Sequence, residues 1–312
     1  MNPAISIVIP THNRAGLVIT TIESVLAQSF TDHAILVVDD GSTDDTRDVL
    51  KPLVDAGKIQ YHFQVNQGRS AARNKGLASA WGTYVMFLDS DDILVPNALD
   101  LLFNYAQADP TAGLIAGTRL LINAAGEIQP ETEIINWTSM SVGKKFTVEM
   151  IDGLCFTPSA YIVKRSLAQS LSGFDKNFEP AEDYDFFVKC CQSAKIIALK
   201  ETVVKMLRHD GNTDEGDLRR ASLRIGQKNL ENLSDLNGAH APDVLNLIKA
   251  KWHIRIGNDH YSLAQNFYAF RNYLSAIIAC PKVLLADGAG RLMRQMAASL
   301  IPAHLRGRRS RG

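Results

Sequence analysis

The chain has 312 residues, 46% of them hydrophobic and 21% charged, with 33 basic against 33 acidic residues and a formal net charge of zero. This composition excludes disorder and collagen-like structure, and a length of this order predicts roughly two domains at about 150 residues each. A balanced charge gives no long-range field for gathering nucleic acid, so no nucleic-acid partner is expected.

Strand and helix patterns alternate from the start. Ile5-Ser-Ile-Val-Ile9 is a short β-branched run stopped by Pro10, and Leu17 to Phe30 then spaces Val18, Ile22, Val25 and Leu26 as a helix does. Ala34 to Val38 predicts a second buried strand. Ser42 and Thr43 are candidate N-caps of a helix carrying Val49, Leu50 and Leu53. Ile59 to Gln64 reads as a third strand, Arg69 to Ala80 as an alanine-rich helix, and Tyr84 to Leu88 as a fourth strand that ends in Asp89-Ser90-Asp91-Asp92. Four βα units predict an α/β fold built on a doubly wound, mainly parallel sheet flanked by helices.

Ligands of such sheets bind beyond the carboxyl ends of the strands. The residues there are polar in all four units: Pro10-Thr-His-Asn-Arg14, Asp39-Asp-Gly-Ser-Thr43, Asn66-Gln-Gly68 and Asp89 to Asp92. Taken singly, each reads equally well as a helix cap or turn. Their combination decides otherwise. Ile5 to Arg14, Ser24 to Ser29, Val37 to Asp44, Asn66 to Asn74 and Phe87 to Asp92 resemble, in order and spacing, the inverting glycosyltransferases of family two, which have the GT-A fold. The resemblance covers roughly residues 4–213 and is strongest before residue 97.

It implies a nucleotide-sugar donor, a divalent cation (Mn²⁺ or Mg²⁺), and transfer by one inverting displacement to a glycan or lipid-linked acceptor in cell-envelope polysaccharide or lipopolysaccharide synthesis. Asp89-Ser90-Asp91 looks like the D-x-D element. Two carboxylates one residue apart at a strand end suit a hard cation on a diphosphate. By the resemblance Asp91 coordinates the metal, Asp89 faces the ribose or the metal shell and Ser90 serves the nucleotide, while Asp92 stays open between a ligand and a helix cap. Asp39 and Asp40 match the acidic pair at the base and ribose, and a carboxylate that accepts from uracil N3–H favours UDP. Pro10, Thr11, Asn13, Arg14, Asn66, Gly68 and Arg73 complete the implied nucleotide contacts. His12 departs from the aromatic residue common in the family and reads as a base contact or as a loop residue.

Farther on, Pro158 to Arg165, Gly173-Phe-Asp175 and Glu182-Asp-Tyr-Asp185 resemble the acceptor half, with Asp183 at the position of the catalytic base and Phe174, Glu182 and Asp185 on the acceptor side. Arg208 to Thr213 resembles a late histidine loop, which makes His209 a candidate for the metal shell. The expected organisation is a GT-A domain over 1–215, divided into a nucleotide-binding half (1–96) and an acceptor-binding half (97–215), followed by a helical C-terminal region over 216–312.

Within that region Leu218–Leu233, Ala241–His253 and Tyr261–Ala279 are candidate helices. The stretch Arg291 to Gly312 carries six arginines, no acid and interleaved Leu, Met and Ile side chains. Two readings stand for it: a basic amphipathic segment on anionic lipid, or the solvated end of a packed helix. Cys155, Cys190, Cys191 and Cys280 lack the spacing of a structural zinc site and read as buried thiols of a reducing compartment. No basic n-region precedes the first apolar run, and no run of about 18 apolar residues occurs. The chain is therefore expected in the cytoplasm, with the inner face of the cytoplasmic membrane as the option its tail leaves open. A non-catalytic sugar-nucleotide-binding protein is the alternative function. A nucleotidyltransferase is a more distant one, since Pro10 to Arg14 lacks a glycine-rich loop, and the same lack disfavours an NAD enzyme.

Overall fold

The computed structural model describes residues 2–129, 140–142, 157–208, 214–232, 242–284 and 289–300. Those up to Arg208 form one compact unit and those from Asp214 another. The first unit begins β1 (Ile5–Thr11), α1 (Ala15–Leu26), β2 (His33–Asp40), α2 (Thr46–Asp55), β3 (Gln60–Gln64), α3 (Arg69–Ser79) and β4 (Tyr84–Phe87). These strands lie in the order β3-β2-β1-β4, every neighbour parallel. It continues β5 (Asp92–Leu94), α4 (Ala98–Ala108), β6 (Ala112–Ile122), β7 (Met140–Val142), β8 (Tyr161–Lys164), α5 (Arg165–Ser170), α6 (Glu182–Ser193) and β9 (Lys195–Leu207). Beyond β4 the sheet runs β8-β6-β9-β5, with β7 also on β9. Here β6 and β9 are parallel and the other pairs antiparallel. The result is a mixed sheet that is parallel where the four polar strand-end motifs lie.

Continuous apolar runs suit strands covered on both faces. Ile5, Ile7 and Ile9 of β1 join Val18, Ile22 and Val25 of α1 and Leu99 and Leu102 of α4 in one core. The opposite face holds an aromatic trio. Phe174 stacks on Phe186 at 4.5 Å between ring centroids, and both meet Phe87 of β4 edge-on. Cys190, Cys191 and Cys280 are free and buried, while Cys155 lies outside the described residues.

Three local expectations shift. Ser42 and Thr43 do not cap α2, because both are drawn to Asn13: Ser42 Oγ accepts from the Asn13 N–H and the Thr43 N–H donates to Asn13 Oδ1. The helix opens instead at Thr46, whose N–H and hydroxyl donate to Asp44. Asp92 caps no helix. It opens β5, and α4 is preceded by Asn97, whose left-handed backbone makes no side-chain cap.

The second unit is helical: α7 (Glu215–Glu231), α8 (Pro242–Ser262), α9 (Asn266–Ala279) and α10 (Ala289–Ser299). The break expected between His253 and Tyr261 falls at 263–265, where Ala264 has φ +60°. Helix α8 runs through the expected gap because Ile256 and Asp259 are buried. A Cβ on Gly226 would lie 2.7 Å from Ile256, and one on Gly257 would lie 2.5 Å from Tyr273. Among the described residues no helix is long and apolar enough to cross a membrane.

The start of β4 is fixed by a close approach. Buried Ser6 accepts from the N–H groups of Trp81 and Gly82 at 3.2 and 2.9 Å, and a Cβ on Gly82 would lie 2.6 Å from the Ser6 backbone nitrogen. Backbone cannot move aside as a flexible side chain can. The expected outcome for Gly82→Ala is a loss of about 1–3 kcal/mol, read by urea unfolding.

Candidate active site

The parallel register brings the strand-end motifs to one edge. Thr11 pairs with Asp39, and Asp39 and Asp40 pair with Phe63 and Gln64. The loop after β1 is bound to the loop after β2 through Asn13, whose φ of +51° turns the chain so that its side chain reaches Thr43. Its neighbour Arg14 donates from Nη1 to Asp91 Oδ2 at 2.9 Å, which joins the first motif to the D-x-D element. His12 Nε2 lies 3.3 Å from the Asn13 amide nitrogen and 3.2 Å from that of Asn66. Two amide donors on one ring nitrogen make that nitrogen an acceptor. Pro10 is half-buried; Thr11 and Ser90 are buried.

The acidic pair divides its work. Asp40 Oδ1 accepts from Gln64 Nε2 and the Gln67 N–H, and Oδ2 from the Gly68 N–H, at 2.7–2.9 Å. It is spent on folding the 64–68 loop, where sequence reasoning expected a nucleotide contact. Asp39 is buried too, and accepts from the Ser42 N–H and the Tyr61 hydroxyl at 2.8 and 2.7 Å. Burial, then this carboxylate, push the Tyr61 phenol well above its ordinary pKa, so it stays a donor. Gly68 has φ +90°, and a Cβ there would come within 2.9 Å of the Glu179 carboxylate.

Arg73 is the centre of the site and is only 3% exposed. It donates from Nη1 to Glu182 Oε1 at 2.5 Å and from Nη2 to Asp89 Oδ1 at 2.6 Å, with its guanidinium carbon 5.2 Å from the centroid of the Phe174 ring. Burial works against the charged form, but Asp89 and Glu182 outweigh it and raise the arginine above its ordinary value. The resemblance makes it a nucleotide contact; in the structure both of its terminal nitrogens hold carboxylates. Phe174, Glu182 and Asp185 were expected on the acceptor side, yet their exposures are 3%, 1% and 1%. They act from inside the fold: Glu182 on Arg73, Phe174 beneath it, and Asp185 on Lys189 at 2.7 Å. Asp183 is the partly exposed residue of the acidic run that opens α6. Burial, then Asp89, raise its carboxyl above the ordinary aspartate value, with Arg73 and the Tyr184 N–H opposing. Asn74 extends the clasp, accepting from the Phe174 N–H at 2.8 Å and donating to the Phe174 carbonyl at 2.7 Å. His209 lies outside the described residues.

Asp89 and Asp91 each meet an arginine, and next to them in the chain stands Asp92, 3% exposed, with Oδ2 lacking a hydrogen-bond partner. Burial first, then Asp89 and Asp91, raise the Asp92 carboxyl well above its ordinary value. Carboxyl oxygens are the donors a hard divalent cation takes, and a cation there would offset the cost of ionising Asp92. Among the described residues no three candidate ligands converge, so further coordination would come from substrate phosphate oxygens and water.

Residues 6–171, over half of the chain, match the family model Glycosyl transferase family 2. The chain belongs to that family. This glycosyltransferase is 30% identical over 214 residues to the chondroitin synthase of Pasteurella multocida, a stretch that covers 68% of this chain and 21% of that protein. It is 41% identical over 107 residues to the GalNAc(5)-diNAcBac-PP-undecaprenol beta-1,3-glucosyltransferase of Campylobacter jejuni, covering 33% of this chain and 35% of that one. The chain thus spans well under half the length of these relatives. Its fold matches the crystal structure of S. aureus TarS 1–349 in complex with UDP-GlcNAc, with TM-score 0.67 and 19% identity over 96% of this chain and 89% of that one.

Two contributors in the glycosyltransferase escaped sequence reasoning. Tyr61 lies in a strand, where an aromatic residue signals nothing special. Glu179 accepts from the Ser70 N–H at 2.8 Å and closes the start of α3; only its place before Pro180 in a loop could have marked it. The clasp itself is testable. Arg73→Ala leaves buried Glu182 with only the half-exposed Arg69 at 3.9 Å as a cation, and the expected loss is about 3–5 kcal/mol of unfolding free energy, measured in urea. Arg73→Lys should recover only part of it, since one ammonium lacks the two-pronged geometry.

Proposed function

We propose that the chain is a metal-dependent inverting glycosyltransferase that uses a UDP-sugar and glycosylates a hydroxyl of a glycan or lipid-linked acceptor in cell-envelope polysaccharide or lipopolysaccharide synthesis. The observation that carries this reading is the Arg73 clasp, which ties Asp89 of the D-x-D element to Glu182, the neighbour of Asp183. A leaving-group site and a base are thereby held in one electrostatic unit, as a single displacement at an anomeric carbon requires.

In this mechanism Asp183 takes the proton of the acceptor hydroxyl as its oxygen attacks C1 of the donor. The bond to the nucleoside diphosphate breaks on the opposite face, which inverts the centre and calls for no nucleophilic side chain. Asp89 and Asp91 would hold Mn²⁺ or Mg²⁺, which when bound neutralises the negative charge developing on the leaving diphosphate. Arg73 keeps Asp89 in place. The UDP-sugar is favoured by TarS, the fold relative, which was crystallised with UDP-GlcNAc. The lipid-linked acceptor rests on the undecaprenol-linked substrate in the name of the Campylobacter relative.

Release of nucleoside diphosphate from UDP-, GDP- and dTDP-sugars with Mn²⁺ or Mg²⁺ tests the reading. Turnover of a UDP-sugar is expected, abolished by chelation and by Asp91→Ala. Metal-independent turnover, or neither turnover nor binding of any donor, would overturn it. Asp183→Asn should lower kcat by about 10²–10⁴-fold with donor KM little changed. Because the Asp183 carboxyl is raised and must be ionised to act as base, kcat/KM should fall with decreasing pH from a point above the ordinary aspartate range. That acid limb should vanish from the residual rate of Asp183→Asn.

A further inference from the structure

The helical unit carries an apolar face that the fold leaves outside. On α9, Phe267, Leu274 and Ile278 are exposed at 72%, 41% and 73%. Positions 267, 271, 274 and 278 fall on one side of a helix, and the remaining one is exposed Arg271. The opposite side is the packed one: Ala269, Tyr273 and Ala276 are fully buried, in a cluster with Cys280, Val283 and Leu292. An outward stripe of Phe, Arg, Leu and Ile is the reverse of what a solvated helix presents. It recurs next door, where Met293 of α10 and Leu300 just past its end are 51% and 65% exposed, with exposed Arg294 beside Met293 in the chain.

Charge settles the kind of partner. The chain as a whole is neutral, but from residue 260 onward it holds eight Lys and Arg residues and a single acid, Asp287. Four of those arginines, at 306, 308, 309 and 311, follow α10 in the sequence. Apolar side chains interleaved with arginine, in a strongly basic segment, match a surface that is apolar within and anionic at its rim. Of the eight, Lys282 is exposed just past α9.

We infer that the outward face of α9, Phe267, Arg271, Leu274 and Ile278, docks on an anionic lipid bilayer. The helix lies along the interface, its apolar side chains enter the acyl boundary, and Arg271 pairs with lipid phosphate. The contact uses residues other than those assigned to sugar transfer and does not depend on the donor or acceptor proposed above.

Flotation of the full chain with vesicles tests it, using phosphatidylcholine alone and phosphatidylcholine with about a third phosphatidylglycerol, a charge density at which each surface cation contributes measurably. Binding is expected to the anionic vesicles, weakened by salt, and at least about tenfold weaker to neutral ones. Phe267→Glu and Ile278→Glu should each lower the partition coefficient about tenfold or more, since each replaces a membrane-buried apolar group with a charge. Both sites are exposed, so circular dichroism and donor turnover should be unchanged, which separates this proposal from the catalytic one. Anionic-vesicle binding that both variants keep would overturn it by assigning the contact to the basic segment alone. No vesicle binding by the unaltered chain would overturn it as well. A dimer in sedimentation that Ile278→Glu dissociates would overturn it by assigning the face to a second copy.

Discussion

The arrangement of the first unit depends on one buried guanidinium. Arg73 stands on α3, in the parallel half of the sheet, and its two nitrogens reach Asp89 at the end of β4 and Glu182 at the start of α6, 109 residues away in sequence. A charge so deeply buried is costly unless it is paired; both terminal nitrogens of Arg73 are, while its Nε and Glu182 Oε2 have no hydrogen-bond partner among the described residues. The next residue, Asn74, uses its amide in the same direction, bonding both polar groups of the Phe174 backbone. Two consecutive side chains thus fasten the nucleotide-side strands to the segment that carries Asp183.

The arrangement is also what makes the acids chemically useful. Glu182 and Asp183 stand in the first turn of α6, where negative charge is favoured by the helix. Burial raises both carboxyls, and Arg73 opposes that rise. The balance leaves the Asp183 carboxyl above the ordinary aspartate value. At the other end of the same guanidinium, Asp89 is steadied without being consumed, since Arg73 meets only its Oδ1.

The helical unit uses the inverse device. There one buried carboxylate, Asp259, gathers two arginines and a hydroxyl: Arg219 at 3.2 Å, Arg255 at 3.6 Å and Ser222 Oγ at 2.7 Å. Pinning α7 to α8 in this way, with Gly226 and Gly257 permitting close helix approach, buries Trp252 and Tyr273 completely. The apolar residues of α9 that do not share in this packing are therefore left facing outward.

Much of the protein was legible in its residues. The β-branched runs, the helical spacing and the polar strand ends are local patterns, so the parallel half of the sheet and the convergence of four motifs on its edge could be read directly, as could the family. What tertiary structure alone decided was how each polar group is spent. Sequence marks Asp39 and Asp40 as an equivalent pair, but only the fold shows Asp40 committed to the backbone of 67–68 and Asp39 to Tyr61. It marks Arg73, Phe174, Glu182 and Asp185 as site residues, and only the fold shows that all four are buried. The continuation of α8 past His253 likewise follows from the burial of Ile256 and Asp259. Patterns of residue type specify which elements form, because those depend on neighbours in the chain; hydrogen-bond partners and burial depend on residues a hundred positions away, which no local pattern encodes.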